Sequence, residues 1–166
     1  GMFAYIAGSP FVFIELYGVP VEKFGWLFGL NAAGFIAASQ FNGRLLRRHT
    51  PERIAATASW FAAAAALVLL AIGITGIGGL YALAGSLFCC IAPMGLIMPN
   101  AAAAALAGHG PRAGTAAAAM GILQFAGGGI TSALIGAIAV KNAVPMVTFI
   151  AICSIGGAVL RRVHQR

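Results

Sequence analysis

Apolar residues fall into six long runs separated by short polar hinges, and each run is close to the length that crosses a bilayer. The pattern predicts helices over about residues 1–17, 24–44, 54–75, 78–106, 113–140 and 144–160. Proline marks the starts. Pro20, Pro51, Pro111 and Pro145 each stand near the beginning of a run, where a missing N–H costs nothing, and Thr50 before Pro51 is a candidate N-cap. The first run is short: about 17 residues at 1.5 Å reach roughly 25 Å, against a hydrocarbon core of about 30 Å. It begins in apolar sequence without a charged flank or signal-peptide architecture, so we expect a piece of a longer protein that lacks the start of this helix.

Composition makes lipid the solvent. Of the 166 residues 61% are hydrophobic and 8% charged, and the mean hydropathy is +0.96. A soluble domain of this size carries about 25% charged residues. The net charge of +7 adds orientation rather than a nucleic-acid partner, because the basic residues sit in hinges and the tail without interleaved aromatics. Arg44, Arg47, Arg48, Arg53, Arg112, Arg161, Arg162 and Arg166 fall on one side of the alternating runs, and only Lys23 and Lys141 on the other. The arginine side is expected to be cytoplasmic. His49, His109 and His164 share that face as solvated loop and tail residues. Cys89, Cys90 and Cys153 lie in apolar runs with no metal-ligand spacing, so neither metal nor cofactor is expected.

Pro10, Pro93 and Pro99 lie inside runs one and four, where each removes a backbone hydrogen bond. Those runs open two successive triplets, and an odd number of spans per triplet inserts the second upside down. Interrupted helices at corresponding places in inverted repeats point to a transporter's central site. The second members match too: Phe28-Gly29-Leu30-Asn31 and Gly121-Ile122-Leu123-Gln124 each set an amide beside glycine. Runs three and six are nearly featureless and read as peripheral helices against lipid. The predicted fold is therefore an all-α membrane protein of six transmembrane helices in two inverted three-helix repeats.

Three stretches carry a resemblance. They are residues 3–11, with Tyr5 and Ser9-Pro10-Phe11; residues 24–31; and Met98-Pro99-Asn100 followed by Arg112-Ala113-Gly114 and Gln124-Phe125. Together they resemble the C-terminal half of the Bcr/CflA drug-resistance transporters, twelve-span proton-coupled efflux proteins of the major facilitator superfamily. The resemblance covers essentially the whole chain. It implies a multi-pass protein of the bacterial inner membrane, an antiporter exporting drug-like or amphiphilic small molecules against protons by alternating access, together with an N-terminal six-helix half outside this sequence. It also implies that the first and fourth spans line the cavity and that the second and fifth face the other half. The hinge with Gly43, Arg44, Arg47, Arg48 and Arg53 resembles the degenerate second copy of the superfamily's gating loop, with Arg47 in the place of the acidic residue and Thr50 in that of a glycine.

Within this frame Tyr5, Ser9, Pro10, Phe11, Pro93 and Met94 are the substrate-cavity candidates. Tyr5 offers a ring and a hydroxyl to a ligand or simply packs, Pro10 is a cavity kink or a structural bend, and both alternatives stand for each. Asn31 and Gln124 are read as interhelical polar contacts. Glu15, the one carboxylate inside a run, is a candidate for proton coupling if it lies deep and an interfacial glutamate if it lies near the end. The rival classes are a self-standing six-helix channel or assembly protein, and a membrane enzyme. An intramembrane enzyme needs a nucleophile with a base, or clustered histidine and carboxylate, at one depth; no run holds a histidine.

Overall fold

The computed structural model describes residues 1–108, 110–138 and 142–164. His109, Lys141, Arg166 and the predicted end of the fifth run at residues 139–140 lie outside them, as does the side chain of His164. Among the described residues all regular structure is helical. Helix α1 (Met2–Pro10) runs straight into a π-helical segment (Phe11–Leu16). It is followed by α2 (Val21–Leu45), α3 (Pro51–Thr75), α4 (Gly79–Ile91), α5 (Met94–Leu106), α6 (Ala113–Ala137) and α7 (Val144–His164), with a 3₁₀ turn at Gly110–Arg112.

The helix ends have local causes. Thr50 Oγ1 accepts from the Arg53 N–H at 3.4 Å ahead of Pro51, the cap that the sequence predicts. Helix α3 stops at Gly76, whose φ of +71° is the left-handed cap that a side chain would strain. Four helical stretches, Pro51–Thr75, Gly79–Leu106, Ala113–Ala137 and Val144–Val163, are long and apolar enough to cross a membrane. Met2–Leu16 is shorter. Helix α2 has the length, at 25 residues, but Glu22, Lys23, Asn31, Gln40, Asn42 and Arg44 make it more polar than the other long helices.

The three inner prolines behave differently. Pro10 has no N–H for the Ile6 carbonyl, and the ladder widens behind it: Tyr17 N–H donates to Val12 O at 3.1 Å and Val19 N–H to Phe13 O at 2.9 Å. Pro93 divides the fourth span into α4 and α5, with tightened bonds from Gly95 N–H to Ala92 O at 3.1 Å and from Leu96 N–H to Pro93 O at 2.9 Å. Pro99 is carried inside α5 without a break.

Helix α3 is the hub, packed on α4, α5 and α7; α1 packs on α6 and α7, and α2 on α4 and α5. Helices α3 and α7 run antiparallel, since Gly73 faces Val147 at one end and the Arg162 guanidinium lies 5.9 Å from the centre of the Trp60 ring at the other. Spans three and six, expected at the periphery against lipid, also pack on each other. Small and large residues alike are buried on these helices: Ala55, Ala58, Ala62, Ala63, Ala66, Ile54 and Leu69 on α3, and Met146, Val147, Ile150, Ala151 and Ala158 on α7. Other large apolar side chains, among them Phe61, Val68 and Ile152, point outward. Without a hydrophobic force between helices in lipid, small residues that let backbones approach closely supply the attraction.

Helices α2 and α6 bury little. Only Asn31 and Asn42 are buried on α2, and only Gly128 on α6, while Trp26 is 82% and Leu123 74% exposed.

Candidate functional site

The inner face of α1 against α2 holds the densest group of candidate residues. Tyr5 is buried at 3% exposure and stacks on Phe28, with ring centres 5.5 Å apart and planes 11° from parallel. Its hydroxyl accepts from Asn31 Nδ2 at 3.2 Å, and the same amide donates to Leu27 O at 3.0 Å. Asn31 thus bonds across from α2 to α1, and the Tyr5 ring packs on Phe28. One turn further along α1, Ser9 is wholly buried and its hydroxyl has no partner among the described residues; the Asn31 carbonyl oxygen is in the same state. A third such atom is Ser154 Oγ on α7, and each buried polar atom left unpaired is costly in a dry interior.

The remaining candidates do not share one cavity. Phe11 lines a space of about 330 Å³ with Gly8 and Met146. Pro93 lines a groove of about 680 Å³ between α2, α3 and the α4–α5 break. Met94 borders a third space of about 440 Å³ that also meets Gln124. Pro10 itself is exposed, and so is Gln124 on α6. Glu15 is exposed in the π-helical segment, one residue before its end at Leu16. The gating-loop residues divide between elements: Gly43 and Arg44 belong to the last turn of α2, Arg47 and Arg48 to the turn after it, and Arg53 to the first turn of α3, all exposed.

Glycines set the closest approaches. A Cβ on Gly34 of α2 would strike the Phe88 ring of α4, and one on Gly128 of α6 would strike the Phe3 ring of α1. Both notches are thus filled within the chain, whereas Gly29 and Gly127, like Gly25, have nothing within 4 Å. At Gly95 of α5 a Cβ would meet the backbone of α2 at Phe35 O and, at 3.0 Å, Ser39 N.

Sequence reasoning passes over one further contact. Asn100 and Asn42 are buried at 1% and 7% exposure, and Asn100 Nδ2 donates to Asn42 Oδ1 at 2.6 Å. The available signal was an amide in an apolar run; its partner lies 58 positions away.

Two curated proteins are similar to this chain. An uncharacterized MFS-type transporter of Bacillus subtilis, YdgK, is 35% identical over 149 residues, which is 88% of this chain and 36% of that protein. A bicyclomycin resistance protein homolog of Haemophilus influenzae is 32% identical over 155 residues, 92% of this chain and 38% of that protein. The chain thus spans somewhat over a third of the length of each relative. No family model and no solved structure matches it. Six apolar helical segments with proline breaks in the first and fourth, and similarity along some nine-tenths of the sequence, make this chain a relative of one part of the major facilitator (MFS) transporters.

Proposed function

We propose that the chain is the C-terminal six-helix half-domain of a proton-coupled exporter of drug-like or amphiphilic small molecules, working by alternating access in a bacterial inner membrane. The observation that carries the reading is an exchange relation in the packing. The first span (α1) lies on the fifth and sixth (α6, α7), and the fourth span (α4–α5) lies on the second and third (α2, α3). Advancing each helix by three spans turns one set of contacts into the other. The notches repeat it in side chains: Phe3 of the first span meets Gly128 of the fifth, and Phe88 of the fourth meets Gly34 of the second. That is the packing expected of two inverted three-helix repeats, whose broken first members border a midplane site.

The exposed α2 and α6 then supply the surface for an N-terminal six-helix half, and rocking between the halves opens the site to one side at a time. The π-helical segment after Pro10 and the break at Pro93 are the bendable points of the two cavity helices. The coupling carboxylate belongs to the other half in this reading, with Glu15 at the membrane interface. The name of the Haemophilus influenzae relative favours export of an antibiotic-like compound over a nutrient.

The test is transport by the intact protein in proteoliposomes carrying an imposed pH gradient, with an amphiphilic fluorescent cation as cargo. Export that follows the gradient and stops with a protonophore is the expected result. Gradient-independent flux would favour a channel, and proton-driven flux through vesicles holding only these 166 residues would remove the need for a second half.

A further inference from the structure

The largest of the three cavities described above contains only one of the substrate-cavity candidates, Pro93, and has its own chemistry. The groove runs between the end of α2, the first turns of α3 and the α4–α5 break. Phe61, Phe88 and Leu96 line its apolar part, while His49 and Arg53 line its polar part. The adjoining hinge, residues 44–53, carries Arg44, Arg47, Arg48 and Arg53 against a single acid, Glu52. The Arg53 N–H is taken by Thr50 and its carbonyl by the Thr57 hydroxyl at 3.0 Å, so the backbone there is satisfied while the side chain stays exposed. At about 680 Å³ the space is in the range that encloses a single ligand.

We propose that this groove binds an anionic phospholipid, with its phosphate held by Arg53 and His49 and one acyl chain lying along Phe61, Phe88 and Leu96. Charge selects the occupant. A second copy of the chain would bring the same arginine-rich hinge against this one, and a neutral lipid would leave the cationic rim without a counter-charge. Basic pockets between transmembrane helices, at the headgroup level and next to apolar channels, have the chemistry that holds such lipids.

Cys89 lines the groove and also a neighbouring apolar space beside Phe61, Val68 and Tyr81, whereas Cys153 borders a different cavity and Cys90 is buried. Groove occupancy is therefore read as the change in maleimide alkylation of Cys89 between bilayers of different charge, with Cys153 as the reference in the same molecule. The intact protein is placed in nanodiscs of phosphatidylcholine alone or mixed with phosphatidylglycerol. Alkylation of Cys89, normalised to Cys153, should slow several-fold in the anionic discs. Arg53→Gln should weaken that protection about fivefold, as expected for one basic residue at an anionic headgroup, while Arg53→Lys keeps it. Inorganic phosphate added to neutral discs should give no protection, which separates a lipid from a free anion. Equal normalised rates in the two bilayers would overturn the proposal, as would protection by free phosphate, or full protection retained by a folded Arg53→Gln protein.

Discussion

The side-chain amide of Asn100 donates to Asn42 Oδ1 at 2.6 Å and to the Leu96 carbonyl at 2.7 Å, tying α5 to α2 at a buried point. One turn and a little more away on α5, Gly95 brings the two backbones together. A polar pin beside a close backbone approach makes α2 move with α5 rather than slide over it.

Breaking that pin should cost stability in proportion to an interhelical bond in lipid, about 0.6–1.7 kcal/mol for Asn100→Leu or Asn42→Leu alone. The double replacement should cost less than the sum, because no unpaired amide is left behind. Unfolding midpoints of the four proteins in detergent check this; strict additivity would mean that the pair does not couple.

Gly95→Ala forces a methyl group into the α2 backbone at Phe35 and Ser39, where no flexible side chain can yield. We expect a destabilisation of about 1–3 kcal/mol with impaired transport. Gly156→Ala, with nothing within 4 Å of the added carbon, should stay within about 0.5 kcal/mol of the parent. The comparison is again of unfolding midpoints, and similar losses at both positions would count against the close approach.

Pro10→Ala and Pro93→Ala return a donor to each of the two interrupted spans and favour continuous α-helix. In the intact protein both variants should insert at normal levels yet export more slowly, whereas substitution of Ile152, 62% exposed on α7, should leave export nearly unchanged. Undiminished export by both proline variants would detach the kinks from gating.

The clustering of arginines on one side gives a topological prediction. A cysteine at Asn142 should react with an impermeant reagent added to intact cells, and one at His49 should react only after the membrane is opened. The opposite pattern would invert the orientation.

Helix limits were legible because glycine and proline write them into the chain. The start of α3 at Thr50-Pro51 and its end at Gly76 need no tertiary information. The break at Pro93 was legible for the same reason, but the π-helical ladder behind Pro10 was not, since nothing in residues 11–16 distinguishes a wider ring from an ordinary one. The packing of α3 on α4, α5 and α7 was not legible because apolarity does not separate inside from outside in lipid. Ala58 and Phe61 are both apolar, yet one is buried and the other exposed, and Leu69 is buried while Ala64 is exposed, so neither polarity nor size alone sorts them. Asn42 and Asn100 escaped notice because a pairing across two spans leaves no local trace. Tyr5 and Asn31 could each be singled out, but not their bond.

The alanines between α3 and α7 also have a thermodynamic signature. An alanine has no rotamers to surrender, so the alanine positions of the two helices dock at less entropic cost than the buried Leu69, Met146 and Ile150 beside them. What holds them is dispersion between closely spaced backbones and methyl groups, which fades steeply with separation. Such a contact is nearly all-or-none: intact it is inexpensive to form, but a single larger side chain at Ala62 or Ala66 would lever it apart along its whole length rather than leave a local dent.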